Sequence, residues 1–137
     1  MERSASAVWN GDMKDGKGNI STQSGLLSEA PYSFVTRFEN GKGTNPEELI
    51  AAARTGFTMA FRLQDAGYTA TELDTEEIVT LERKNEDFRI RRSALTLRAS
   101  VPDMDQGTFA RVAQDAELNG PLSRMLRAET TLDAKLI

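Results

Sequence analysis

Cysteine and histidine are both absent from the 137 residues. Without cysteine there is no disulfide, no thiolate metal site and no thiol nucleophile. Without histidine the chain lacks the commonest general base and the commonest metal ligand. A Cys-His pair, a Ser-His-Asp triad and a zinc site are excluded together, and no cofactor is implied by what remains. Any chemistry must run on carboxylates, arginine, lysine, tyrosine or hydroxyls. No stretch approaches the roughly 20 apolar residues of a membrane span, and the N-terminus lacks a signal-peptide core, so a cytoplasmic protein is expected. Repeats, low-complexity segments and linkers are also missing, which predicts one domain over residues 1–137.

What is present is 39% hydrophobic and 28% charged, enough for one modest core. A net charge of -4 and a pI near 4.9 give no general attraction for nucleic acid or anionic membranes. Arg89, Arg91 and Arg92 cluster, but Glu86 and Asp87 flank them, so the run reads as the solvated face of a strand.

The pattern of elements is α+β. Ala7 to Gly11 reads as a strand, Asp15-Gly16-Lys17-Gly18 as a turn, and Asn19 to Thr22 as a second strand. Alternation of Tyr32, Phe34 and Thr36 with Ser33, Val35 and Arg37 predicts a third strand over Tyr32 to Phe38. Asn45 as cap, Pro46 at the first position and Glu48 three residues on start a helix, with Glu47 and Glu48 at its positive end. From Leu49 to Leu63 this helix is apolar nearly all round and must be buried on most sides. A chain of this size would struggle to enclose it, so burial against a second copy is expected. Gly67 stops it.

Ile78 to Glu82 and the run from Phe88 form a hairpin. The apolar phase of the second arm shifts from Phe88 and Ile90 to Leu95, Leu97 and Ala99, which predicts a bulge near Arg92-Ser93. Phe109, Val112, Ala113 and Ala116 make one helical stripe, broken at Gly120-Pro121 before a short second helix over Leu122 to Leu126. Thr130, Leu132, Ala134 and Leu136 alternate as a last strand. Taken alone, Arg37 and Glu47 read as a strand arginine and a capping carboxylate with unrelated partners. Glu47 and Glu48 together are a poor acid/base pair, because adjacent helical residues point about 100° apart.

An ordered set of motifs nevertheless resembles one family. It comprises Trp9-x-Gly11-Asp12, Gly16-Lys17-Gly18, Pro31-Tyr32-Ser33-Phe34-x-Thr36-Arg37-Phe38 and Gly43-Thr44-Asn45-Pro46-Glu47-Glu48-Leu49-Ile50. Phe57-Thr58-Met59-Ala60, Ala66-Gly67-Tyr68-Thr69, Pro121-Leu122-Ser123 and Ala128-Glu129-Thr130-Thr131-Leu132-Asp133 complete it. The set is similar to the OsmC/Ohr family, osmotically inducible and organic hydroperoxide resistance proteins, and closer to its OsmC branch. The resemblance implies antiparallel sheets wrapped around buried central helices in an intertwined homodimer. It also implies reduction of organic hydroperoxides: a thiolate on the buried helix attacks the peroxide, and a second cysteine resolves the sulfenic acid. A pocket arginine and glutamate lower the thiol pKa and orient the peroxide; Arg37 and Glu47 fall at those positions.

The family's first cysteine falls at Gly56 by the Phe-[Ser/Thr]-Met-Ala motif, or at Phe57 counted from Glu47; the second falls at Gly120. Close to one helical turn is missing between these landmarks, and Arg54 or Ala53 stands where the family has a histidine. Thr55, Thr58 and Ser123 are weak nucleophiles toward peroxide oxygen, while Met59 and Met125 read as core or interface residues whose sulfoxides would need an external reductase. A natural member that lost the reaction or an engineered chain would account for both positions; a chemically modified cysteine before Phe57 would account for the first but not so simply for Gly120. The expectation is a stress-response scaffold without thiol peroxidase activity. The alternative is a dimer that binds a small hydrophobic or carboxylate-bearing ligand near Arg37.

Overall fold

Asp12 closes the first turn. Its Oδ1 accepts from the amides of Lys14 and Asp15, at 3.0 and 2.8 Å, an Asx arrangement that turns the chain back on itself. The computed structural model describes residues 1–54 and 56–137, with Phe57 by its backbone. Thr55 and the Phe57 side chain, both weighed above, lie outside the described residues. The chain divides into two compact units, Met1–Leu49 and Ile50–Ile137.

In the first unit, β1 (Ala5–Asn10), β2 (Lys17–Thr22) and β3 (Ala30–Ser33) form an antiparallel sheet in that order. Trp9 packs over the hairpin glycines: a Cβ on Gly18 would stand 2.8 Å from its ring. The strand predicted through Phe38 stops at Ser33, and Phe34–Phe38 is instead a helical turn, α1. Two causes combine. β2 begins at Lys17, which pairs with Ser33, so it offers β3 nothing further to bond. Ser33 and Thr36 then satisfy each other's amides in a reciprocal capping box.

Helix α2 (Pro46–Arg54) starts as expected, with the Glu48 amide donating 2.9 Å to Asn45 Oδ1. The long apolar helix is not continuous. Gly56 takes φ 74°, outside the helical region, and a separate helix, α3 (Phe57–Asp65), follows. Gly67, at φ 85°, ends α3 with its amide on the Gln64 carbonyl. Within one chain the apolar helices are not covered on most sides: Ala52, Ala53 and Phe61 are exposed.

The second unit continues with β4 (Glu72–Lys84), β5 (Asp87–Ser100), α4 (Gln106–Asn119), a 3₁₀ turn over Ser123–Met125, and β6 (Glu129–Leu136). Pairing jumps from Thr80↔Arg92 to Leu81↔Ile90, which leaves Arg91 as the extra residue of the bulge. β6 runs parallel to β5, with Leu95 opposite Leu132, so this sheet is mixed rather than antiparallel. Its inner face packs on the α4 stripe, and Phe109, Ala99, Leu63, Leu97 and Ala113 form the buried centre. No helix among the described residues is long and apolar enough to cross a membrane.

Candidate functional site

Each unit carries one charged constellation. In the first, α1 presents Arg37 and the first turn of α2 presents Glu47. Arg37 Nε donates to Glu47 Oε2 at 3.2 Å and Nη2 to Oε1 at 2.7 Å, a two-pronged match of planar groups. Their side chains are 31% and 12% exposed. The Glu47 hydrogen bond, opposed by burial, raises the Arg37 guanidinium above its ordinary pKa. The two residues are thus partners of each other and not of unrelated groups. Glu48 turns away and meets Asn45.

The second constellation was not legible as a unit. Arg54 closes α2 with a side chain only 3% exposed, between Glu77 of β4, 0% exposed, and Glu117 of α4, 8% exposed. Its Nη1 donates to Glu77 Oε1 and Ser93 Oγ; its Nη2 donates to Glu117 Oε1 at 2.8 Å and Ser123 Oγ at 3.2 Å. Ser93 Oγ donates in turn to Glu77. Within this cluster two buried polar atoms have no hydrogen-bond partner among the described residues, Arg54 Nε and Glu77 Oε2.

Arg54 also lines a cavity of about 30 Å³. Gly56, Thr58, Met59, Gly120 and Ser123 are on the same wall. Gly56, one of the two positions expected for the family's first cysteine, and Gly120, expected for its second, therefore line one space although they lie 64 positions apart. A Cβ at Gly120 would stand 3.4 Å from Thr58 Cγ2 and 2.9 Å from the Ala116 carbonyl. The hydroxyls here are not activated. Ser123 accepts from a guanidinium, which removes no proton, and Ser93, paired to a carboxylate, is 1% exposed. Met59 is the sulfur on this wall, and Met125 lies exposed elsewhere. The arrangement offers hydrogen bonds and apolar contact but no thiol.

Sequence signals for the missed residues do exist. Glu117 sits four residues after Ala113 and eight after Phe109, so it rides the apolar stripe of α4. Glu77 is in phase with Leu73, Val79 and Leu81, the inward face of β4, whereas Ile78 is 59% exposed. The arginine run behaves as a solvated strand face. Arg89 pairs with Glu82 and pulls its pKa down, and Arg92 reaches Thr131. Among the described residues no acidic group is arranged to hold a metal ion.

Residues 39–135 match the family of OsmC-like proteins. Over 139 aligned residues the chain is 45% identical to the peroxiredoxin OsmC of Escherichia coli K12, covering 99% of this chain and 97% of that one. The Shigella flexneri peroxiredoxin OsmC matches equally, at 45% identity over the same shares. In fold the chain is similar to the organic hydroperoxide resistance protein OhrB of Bacillus subtilis, with TM-score 0.69 and 21% identity over 96% of this chain and 98% of that one. An OsmC-like protein of Mycoplasma pneumoniae gives TM-score 0.72 at 15% identity, covering 100% and 98%.

Proposed function

This chain belongs to the OsmC family, and from that premise we propose that it is a homodimeric cytoplasmic member that binds small organic molecules, hydroperoxides among them, without thiol peroxidase turnover. The observation that carries this reading is the shared wall of Gly56 and Gly120: both line one cavity, and neither supplies sulfur. Thiol peroxidase chemistry needs a thiolate to take the peroxide oxygen. Here no atom is available for that covalent step. Arg37 and Glu47 form a preformed fork in the first unit, which by itself offers hydrogen bonds to the polar end of a ligand.

Exposed apolar side chains support the dimer: Phe61, Leu118, Leu122 and Met125 of the second unit are among them. The single-domain reading is supported by the family match, which runs across the division between the units.

The test is consumption of cumene hydroperoxide with dithiothreitol, run beside intact-mass measurement on the same sample. A mass of 15.1 kDa with no turnover above the protein-free rate is expected; turnover at that mass would overturn the reading. Light scattering should give twice the chain mass. Ligands that bind should raise the melting temperature, by an amount equivalent to about 2.7 kcal/mol at a hundredfold excess over Kd. Arg37→Ala should weaken that response, and an unchanged affinity would remove Arg37 from the site.

A further inference from the structure

This inference rests on reading the cavity beside Arg54 as a ligand pocket, and concerns what it admits. We propose that the Arg54–Glu77–Glu117 cluster makes it selective for small neutral molecules ending in a hydroxyl, and closed to the corresponding carboxylates.

Charge sets the selectivity first. One guanidinium faces two carboxylates, and both of its terminal nitrogens are engaged by them. An arginine so neutralised has no positive charge left to offer an incoming anion. Of the residues that line the cavity, the charged ones are Arg54 and Glu117, already bound to each other. A carboxylate entering this wall would meet net negative charge in a medium that screens it poorly.

Hydrogen bonding points the same way. Arg54, whose side chain lines the cavity, keeps Nε as a buried donor lacking an acceptor, while Glu77 lies outside the lining. A hydroxyl can accept there without adding charge, whereas a carboxylate adds a third negative group beside Glu77 and Glu117. Size narrows the choice further. About 30 Å³ holds one polar head group and little more, while Met59, Leu95, Leu97 and Leu132 supply an apolar wall for a short chain.

The experiment uses the full chain labelled at the methionine methyl groups. Of its five methionines only Met59 lines this cavity, so one signal reports on it. 1-Butanol and butyrate are titrated separately at about 0.3 M salt, which suppresses effects of overall charge. The Met59 signal should move with 1-butanol, and about tenfold more butyrate should be needed for the same shift. Butyrate acting as well as 1-butanol would overturn the selectivity while leaving a pocket. Failure of both to move Met59 would overturn the pocket itself, and with it the binding reading above. Glu117→Gln should bring butyrate at least fivefold closer to 1-butanol; an unchanged ratio would remove the cluster as the cause. The wild-type comparison decides the selectivity without any variant.

Discussion

Arg54→Met should unfold this protein far more readily than its single-residue scale suggests. The substitution keeps most of the side chain's volume and removes only the charged fork. It strands Glu77 and Glu117, whose side chains are 0% and 8% exposed, with no cation between them. Breaking a buried ion pair from one side typically costs about 3–5 kcal/mol, because the abandoned charge cannot be rehydrated. Against a total stability of about 5–15 kcal/mol, that is a large share. For a chain of this length it corresponds to a fall of roughly 15 °C in melting temperature. Urea denaturation at fixed protein concentration measures it directly, since the midpoint should drop while the slope stays constant. Replacing the whole cluster, Arg54→Met with Glu77→Leu and Glu117→Leu, should recover stability to within about 1 kcal/mol of the parent. A single variant costing less than about 1 kcal/mol would refute the burial argument. A triple variant no better than the single would refute the claim that stranded charge is the cause.

Other consequences are simpler to check. Asp105 caps α4 through Thr108, whose amide and hydroxyl both donate to its carboxylate, and this holds its pKa below the ordinary 3.8. Its contribution to stability is therefore present above pH 3.8 and lost as the pH falls through the lower folded-state value. Asp105→Ala should be less stable than wild type at neutral pH, with the gap in acid-unfolding curves closing below pH 3.8. Gly18→Ala pushes a methyl to within 2.8 Å of Trp9 and 3.0 Å of two backbone oxygens. Trp9 is the single tryptophan, so its emission should shift to the red; an unmoved spectrum would mean the hairpin absorbs the methyl elsewhere. Gly56→Ala forces φ 74° on a residue with a Cβ and should cost about 1–2 kcal/mol in urea denaturation, although the space is open.

The elements that could be read in advance are those whose causes lie within a few residues. The Asn45-Pro46 start, the Gly67 stop, the α4 stripe and the β5 phase shift each depend on capping or periodicity over one or two turns. Phe34–Phe38 misled for the opposite reason. Its alternation is that of a strand, but a strand needs a partner, and the first residue of β2, Lys17, already lies opposite Ser33. The parallel pairing of β6 is likewise a long-range fact that its own alternating residues do not encode.

Arg37 and Glu47 were identifiable as candidates from the motifs around them, and their direct pairing spans only ten positions. The Arg54 cluster joins residues 23, 39, 63 and 69 positions away, each unremarkable in its own neighbourhood. Glu77 looks like one of two solvated acids, and Glu117 like the polar edge of a helix. What the sequence alone determined was the absence of a thiol, since composition bears on chemistry whatever the fold. Only tertiary structure decided that Gly56 and Gly120 share one wall, and that an arginine held between two buried carboxylates stands beside them. Buried charge is tolerated only where opposite charge is brought to it, and that meeting is a property of the folded chain.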